Sequence, residues 1–205
     1  MGCGAKLFIL LGVLFVLLAL ACCGGLFGLV YWLKNSFTNS PDAVKTATDE
    51  ITSISIPAPL EPAAATSLHV PLSGKLVMVG AAYASKAATE EHKTVLMLVE
   101  WGDFVNDQVQ VTFRHGFEES LAEQGLKPEG MEKTRDVHEF EKRRTIREKP
   151  AKFLIREAVD AETGKKRIEV DGTFQGRTGL AVLVLRADEE ELPKQKVLDM
   201  LDSIE

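Results

Sequence analysis

The feature that most constrains this chain is an uncharged apolar segment near its N-terminus, from Leu7 to Leu33. As an α-helix, its 27 residues would extend roughly 40 Å, and a bilayer's hydrocarbon core is about 30 Å thick. Lys6 and Lys34 flank the segment, and the aromatic residues Tyr31 and Trp32 suit the headgroup level. The sequence therefore predicts a single transmembrane helix from Leu7 to Leu33. Membrane lipid is the predicted partner of this helix.

Two other fates of this segment stay open at the level of sequence. Ala19-Leu20-Ala21 has the A-x-A pattern of a signal-peptidase site, so the segment could be cleaved after Ala21. Apolar residues resume from Leu26 to Leu33, which is unusual for a mature N-terminus and favours a retained helix. The second alternative is lipidation, either at Cys22 or at the N-terminal Met1-Gly2-Cys3.

The same segment bears on self-association and orientation. Gly24 and Gly28 have the GxxxG spacing that lets two membrane helices approach closely. The short N-terminal tail, with Lys6 as its charged side chain, favours an N-inside orientation. We therefore expect the rest of the chain on the extracytoplasmic side of the membrane.

The remainder of the chain has the composition of one globular domain. We predict an anchor over residues 1–34, a short linker over 35–41 and a soluble domain over 42–205, long enough to bury its own core. Removing Lys6 and Lys34 from the 24 basic residues leaves 22 against 30 acidic ones, a net charge of −8. Phosphate backbones would repel such a domain, so nucleic acid is excluded as a partner.

Hydrophobic periodicity predicts an α+β fold for this domain. Ser40 and Pro41 are typical of a helix start, and the core face of the helix would continue to Ile54. Pro57, Pro59 and Pro62 then indicate an irregular stretch. The remaining predicted strands and helices are Lys75–Tyr83, Thr94–Trp101, a helix over Val111–Gln124, Val137–Glu148, Lys152–Val159, Arg167–Phe174, Gly179–Ala187 and a last helix over Pro193–Ile204. This order predicts a mainly antiparallel sheet covered by helices and preceded by one transmembrane helix.

The C-terminal third carries a resemblance. It runs from Thr173-Phe174-Gln175-Gly176-Arg177 through the apolar strand Leu180–Leu185 to a helix ending Leu201-Asp202-Ser203-Ile204. This pattern resembles a set of uncharacterised bacterial membrane-anchored proteins and, more distantly, α/β sandwich domains of the PsbP/DcrB type. The resemblance implies an extracytoplasmic accessory domain and carries over no catalytic residue.

Four histidines recur at intervals of 23 residues: His69, His92, His115 and His138. Their flanking residues share no pattern, so the spacing does not reflect a sequence repeat. No pair has the short spacing that places two metal ligands on one helix or strand face. We interpret them as four unrelated histidines and identify no metal ligand.

One glycine-rich stretch and one acidic stretch also lack the pattern of a ligand-binding loop. Gly172, Gly176 and Gly179 precede an apolar strand, whereas a phosphate-binding loop follows a strand and begins a helix, so we expect a tight turn here. Asp188-Glu189-Glu190-Glu191 lacks the alternating ligands of a calcium loop. We expect these four acidic residues at the start of the last helix, where the helix dipole favours negative charge.

A basic cluster stands out in this acidic domain: Lys142-Arg143-Arg144, followed by Arg147 and Lys149. Three acidic residues are interleaved with it: Glu139, Glu141 and Glu148. The pattern favours a solvated strand face with cross-strand ion pairs. The alternative is the docking of an acidic partner at the cluster.

No catalytic residue, cofactor-binding residue, metal ligand or cofactor is identified from the sequence. The leading hypothesis is therefore a membrane-tethered, non-enzymatic binding or accessory domain, with a protein partner possible. One rival is a membrane-tethered enzyme whose pocket is built from scattered histidines and carboxylates. The other is a structural protein that self-associates through Gly24 and Gly28.

Overall fold

The computed structural model describes residues 37–69, 75–86, 94–103, 134–160 and 164–205. The chain divides into two compact units, Met1–Phe37 and Thr38–Glu205. The described elements, in chain order, are β1 (Phe37–Thr38), α1 (Pro41–Ile51), β2 (Glu61–His69), β3 (Leu76–Ala84), β4 (Val95–Gly102), β5 (Thr134–Ile146), β6 (Lys149–Asp160), β7 (Lys166–Gln175), β8 (Gly179–Asp188) and α2 (Lys194–Asp202). This mainly antiparallel sheet with two helices in the described ranges confirms the α+β prediction.

Two predicted helices lie outside the described residues: the transmembrane segment Leu7–Leu33 and the helix over Val111–Gln124. Among the residues that are described, no helix has the length and apolar character needed to cross a membrane.

The eight strands form one sheet in the order β1-β2-β3-β4-β8-β7-β6-β5. Hairpin pairs β2–β3, β3–β4, β5–β6, β6–β7 and β7–β8 are antiparallel, and the β4–β8 pair joins the two halves of the sheet. The predicted strands 75–83, 94–101, 167–174 and 179–187 agree with β3, β4, β7 and β8 to within one residue at each end. The apolar strand β8 is central, as predicted, because strands cover both of its edges.

The main core lies on one face of the sheet, under both helices. On α1, Val44, Ala47 and Ile51 are buried at the helical spacing that the sequence predicts. On α2, Val197 and Leu201 are buried in the same cluster. Both helices therefore cover the same apolar face of the sheet.

The prediction of an irregular stretch after α1 is wrong for the second half of that stretch. β2 begins at Glu61 and includes Pro62, although proline cannot donate to a sheet ladder. The register shifts between Pro62 and Ala64, and only the two-residue strand β1 lies beyond β2 in the sheet. A proline is tolerated here because it lies at a bulge near the sheet edge.

Pro150 is a second proline inside a strand, where the sequence indicated a break. It pairs with Thr145 of β5, and the β6–β7 ladder begins only at Lys152, so no bond to β7 is lost at Pro150. Arg147 and Glu148 form the intervening turn with positive φ of 49° and 62°. β5 and β6 are therefore one long hairpin.

The N-terminal boundaries also differ from the predictions. Within the predicted linker, Phe37 and Thr38 form the short strand β1. The helix α1 ends at Ile51, since Thr52 is extended with φ −165°. Ile54 therefore packs against the core from the connecting segment, not from the helix.

Candidate functional site

A groove of about 330 Å³ lies beside α1. Three parts of the chain line it: the exposed side of α1, the segment between α1 and β2, and the end of β3. The lining residues are Lys45, Thr48, Asp49, Ile54, Ile56, Leu60, Pro62 and Tyr83. Its volume is at the lower end of the range for small-molecule sites, which are typically about 300–1,000 Å³.

The wall of the groove is fixed by a hydrogen bond between α1 and β3. The hydroxyl groups of Thr48 and Tyr83 lie 2.7 Å apart, and both residues are buried. Thr48 donates its single hydroxyl hydrogen to Val44 O at 2.9 Å, so the Tyr83 hydroxyl is the donor of this pair. Burial raises the pKa of Tyr83, and the negative charge of Asp49 acts in the same direction. Tyr83 is therefore a neutral phenol that positions the helix.

The rim of the groove carries one positive and one negative charge. Lys45 and Asp49 are exposed on α1 four residues apart, so they lie on the same side of the helix. Neither forms an ion pair within the described part of the chain. Ile54 and Ile56, by contrast, pack against the core and supply an apolar floor. The groove thus combines an apolar floor with two charges of opposite sign.

A buried carboxylate lies outside the groove lining, on β4. Glu100 is fully buried, and its Oε1 accepts hydrogen bonds from Thr178 N at 2.5 Å and Gly179 N at 2.6 Å. Its Oε2 has no hydrogen-bond partner among the described residues. Burial raises the pKa of this carboxyl, and the two backbone N–H groups oppose that shift. Glu100 acts as a buried acceptor for the turn between β7 and β8.

The predicted tight turn is confirmed, and each of its glycines has a packing reason. A Cβ at Gly172, Gly176 or Gly179 would approach the Phe153 ring, the Glu100 carboxylate or the Trp101 carbonyl, respectively, to within 3.0 Å. The turn closes with a hydrogen bond from Gly176 N to Gly179 O at 2.9 Å. The glycines are therefore explained by the close packing of the turn against Phe153, Glu100 and Trp101.

The two described histidines do not converge. His69 is on β2 and His138 is on β5, six strands apart in the sheet order, which corresponds to about 29 Å measured along the sheet at the usual strand spacing. His138 lines a smaller cavity of about 180 Å³ with Glu157, Lys166, Arg167 and Glu189. His92 and His115 lie outside the described residues. No group of three potential metal ligands occurs in the described ranges.

The basic cluster divides between the two faces of the β5–β6 hairpin. Lys142 pairs with Asp202 at 2.7 Å, and Arg144 donates to Leu201 O, both at the C-terminal end of α2. On the other face, Lys152 pairs with Glu141 at 2.6 Å, so the predicted cross-strand ion pairs are present. Cations at a helix C-terminus are stabilised by the helix dipole, so part of the cluster holds α2 on the sheet.

The prediction for the acidic run is wrong. α2 begins at Lys194 and has no acidic residue in its first turn. Asp188 is instead the buried last residue of β8, and its Oδ1 accepts a hydrogen bond from Glu190 N at 3.2 Å. Glu191 accepts from the Thr94 hydroxyl at 2.8 Å. Asp188 therefore organises the β8–α2 connection, because a short acidic side chain can satisfy the backbone of a tight turn, whereas Glu191 joins this connection to the residue before β4.

A row of alternating charges crosses the second face of the sheet, from β5 to β8. Arg156 pairs with Glu139 at 2.9 Å and with Asp171 at 3.1 Å, and Arg186 pairs with Asp171 at 3.0 Å and with Glu169 at 3.6 Å. Glu169 is buried, which raises the pKa of its carboxyl, and the charge of Arg186 opposes this shift. The guanidinium groups of Arg156 and Arg186 neutralise the carboxylates of Glu169 and Asp171. These ion pairs are therefore structural.

Sequence reasoning did not identify the groove residues Lys45, Asp49 and Tyr83, nor the buried Glu100. Lys45 and Asp49 look like ordinary exposed residues of an amphipathic helix. The one usable signal was Tyr83, a polar-tipped aromatic at the end of an apolar strand, since a buried tyrosine hydroxyl requires a hydrogen-bond partner.

Comparison with known proteins gives little. A scan against protein-family models finds no match, and a search of curated proteins finds no significant one. Among solved structures, the chain is similar to LpqN of Mycobacterium tuberculosis, a protein described as involved in cell envelope biogenesis. The identity is 13%, the match covers 75% of this chain and 79% of LpqN, and the TM-score is 0.31. A likeness at this TM-score carries no inference about fold or function.

Proposed function

We propose that this chain is a membrane-anchored, non-enzymatic binding domain that takes its ligand in the groove beside α1. The observation that carries the proposal is the composition of the groove. An apolar floor of Ile54, Ile56 and Leu60 lies below two exposed charges, Lys45 and Asp49. Ligand sites combine a mainly apolar lining with a few polar groups that orient the ligand.

The anchor of the proposal is the sequence segment Leu7–Leu33. Its length and lack of charge fit a retained membrane helix, and membrane lipid is its partner. The short N-terminal tail supports an extracytoplasmic position for the domain. The net negative charge of the domain supports a ligand other than nucleic acid.

The anchor is tested by alkaline extraction of membranes together with mass spectrometry of the N-terminus. We expect the chain to stay in the membrane pellet with its N-terminal region intact. The matched control is the Leu17→Arg/Leu18→Arg variant, because each arginine at a helix centre disfavours insertion by about 2.5 kcal/mol or more. A mature N-terminus at Cys22 would contradict the anchor, and protease accessibility in intact cells tests the orientation.

The groove is tested with an uncharged apolar probe, 1-hexanol. We expect hexanol to shift the NMR signals of the Ile54 and Ile56 methyl groups in the full chain, reconstituted in phosphatidylcholine nanodiscs. The buried methyl group of Ile168, which packs in the core away from the groove lining, is the internal control. If hexanol leaves both groove methyls unchanged, the groove does not accept apolar ligands and the proposed function is wrong.

A further inference from the structure

We infer that the groove binds the headgroup of a zwitterionic phospholipid with a primary ammonium, of the phosphatidylethanolamine class. This inference rests on the proposed function and names its ligand. The phosphate would lie against Lys45, the ammonium against Asp49, and the first part of an acyl chain on Ile54 and Ile56.

The first argument is the pairing of opposite charges on the rim. Lys45 and Asp49 lie on one side of α1, with Cβ atoms about 5–6 Å apart, as is usual for residues four positions apart in a helix. Asp49 would repel a purely anionic headgroup, and Lys45 would repel a purely cationic one. A zwitterion satisfies both charges, whose ion-pairing capacity is unused in the described part of the chain.

The second argument is the kind of cation that the groove can bind. A primary ammonium donates hydrogen bonds to a carboxylate such as Asp49. A quaternary ammonium cannot donate, and proteins recognise it with several aromatic rings. Among the described residues, the groove lining includes one aromatic residue, Tyr83, whose hydroxyl is already bonded to Thr48. Ethanolamine therefore fits this lining better than choline does.

The third argument is the floor, which distinguishes a lipid from a small polar zwitterion. Ile54, Ile56, Leu60 and Pro62 give the groove an apolar surface next to its two charges. In sequence, only Lys34 to Ser40 separate the predicted anchor from α1, and a chain of seven residues reaches at most about 25 Å. Membrane lipid, the partner of the proposed anchor, would thus be the most abundant amphiphile available to the domain.

The test uses the full chain in phosphatidylcholine nanodiscs that contain rising fractions of either phosphatidylethanolamine or phosphatidylglycerol with the same acyl chains. We expect the Ile54 and Ile56 methyl signals to respond to phosphatidylethanolamine at a mole fraction about fivefold lower than to phosphatidylglycerol. This ratio corresponds to the free energy of one exposed ion pair, between Asp49 and the ammonium group. The Asp49→Asn variant should lose this preference. The Lys45→Gln variant should respond more weakly to both lipids.

The matched control is Glu50→Gln, which removes a neighbouring exposed carboxylate that does not line the groove. It should keep the preference of the unmodified chain. Three results would overturn the inference: equal responses to the two lipids, a preference that survives in Asp49→Asn, or an equal loss in Glu50→Gln. Free leucine is added as a separate arm, and a response to it as strong as to the lipid would assign the site to a soluble zwitterion.

The hexanol experiment separates this inference from the proposed function. If hexanol shifts the groove methyls but the two lipids act alike, the groove binds apolar ligands and only the lipid class is wrong. If hexanol and both lipids leave the methyls unchanged, both proposals fail.

Discussion

The turn at Glu100 and the groove beside α1 both place charge next to the apolar core, and they differ in how that charge is satisfied. Glu100 is fully buried and accepts two backbone hydrogen bonds from the turn that covers it. Lys45 and Asp49 are exposed and form no ion pair within the described ranges. At the first site the backbone of the protein satisfies one of the two carboxylate oxygens, whereas at the second both charges lie at the surface without an ion pair in the described ranges.

This difference indicates which polar residues serve folding and which are available for binding. A buried carboxylate is tolerated only when hydrogen bonds replace its water, and Glu100 obtains them from a turn whose glycines permit the approach. Exposed charges on a helix contribute little to stability and can be kept for another purpose. Substitutions at the turn should therefore affect stability strongly, and substitutions on the groove rim should not.

The largest effect is expected for Gly179→Ala. The added Cβ would approach the Trp101 carbonyl to within 3.0 Å, and backbone cannot move aside as a flexible side chain can. We expect the free energy of unfolding to fall by about 3 kcal/mol or more, measured by chemical denaturation of the full chain in detergent. The control is Gly164→Ala, where a Cβ meets nothing within 4 Å and the expected cost is the backbone strain at φ +70°, about 1–2 kcal/mol. Equal losses in the two variants would show that Gly179 is not sterically required.

A smaller loss is expected for Gly172→Ala, because the obstacle is a side chain. The added Cβ would meet the ring of Phe153, which is fully buried and packs 6.2 Å from the Phe174 ring. We expect a loss of about 1–3 kcal/mol. Combining the substitution with Phe153→Leu should recover part of it in a double-mutant cycle, and strictly additive losses would contradict this contact.

The charge of Glu100 is tested by the pH dependence of stability in Glu100→Gln. Burial raises the pKa of this carboxyl in the folded state, so protonation favours folding. The resulting contribution is fully present below the ordinary value of 4.5 and is lost as the pH rises through the raised value. The glutamine variant does not ionise at this site. The melting temperature of the variant minus that of the unmodified chain should therefore increase as the pH rises. A difference that stays constant with pH would contradict a raised pKa.

A moderate loss is expected for Tyr83→Phe, which removes the hydroxyl that joins β3 to α1. The change deletes a buried hydrogen bond and leaves the ring in place, so the free energy of unfolding should fall by about 1 kcal/mol. Denaturant titration measures this loss. The matched control is Thr46→Val, because the exposed Thr46 hydroxyl bonds only to its own helix at Asp42 O. A loss of stability no larger than that of the control would show that the Thr48–Tyr83 hydrogen bond does not stabilise the fold.

Much of the fold could be predicted from sequence because its signals are local. The apolar runs of β3, β4 and β8 and the periodicity of α1 and α2 each depend on a few adjacent residues. Pro62 and Pro150 misled the interpretation because their tolerance depends on which strand lies alongside them. A sequence does not specify that neighbour.

The candidate site could not be predicted because its parts come from distant segments. Glu100 bonds to Gly179, 79 residues further along the chain, and the contact exists only because β4 pairs with β8. The groove likewise needs α1, the segment before β2 and Tyr83 to meet. Lys45 and Asp49 carry no signal of their own, because an exposed charge on an amphipathic helix is the ordinary case.

The smallest effect on stability is expected on the groove rim, for Lys45→Gln combined with Asp49→Asn. Both side chains are exposed and form no ion pair in the described part of the chain, so their loss breaks no ion pair there. We expect the free energy of unfolding to stay within about 0.5 kcal/mol of the unmodified value, measured by denaturant titration of the full chain in detergent. A loss comparable to that of Tyr83→Phe would mean that the two charges serve the fold. Unchanged stability together with a lost lipid preference would place them in binding alone.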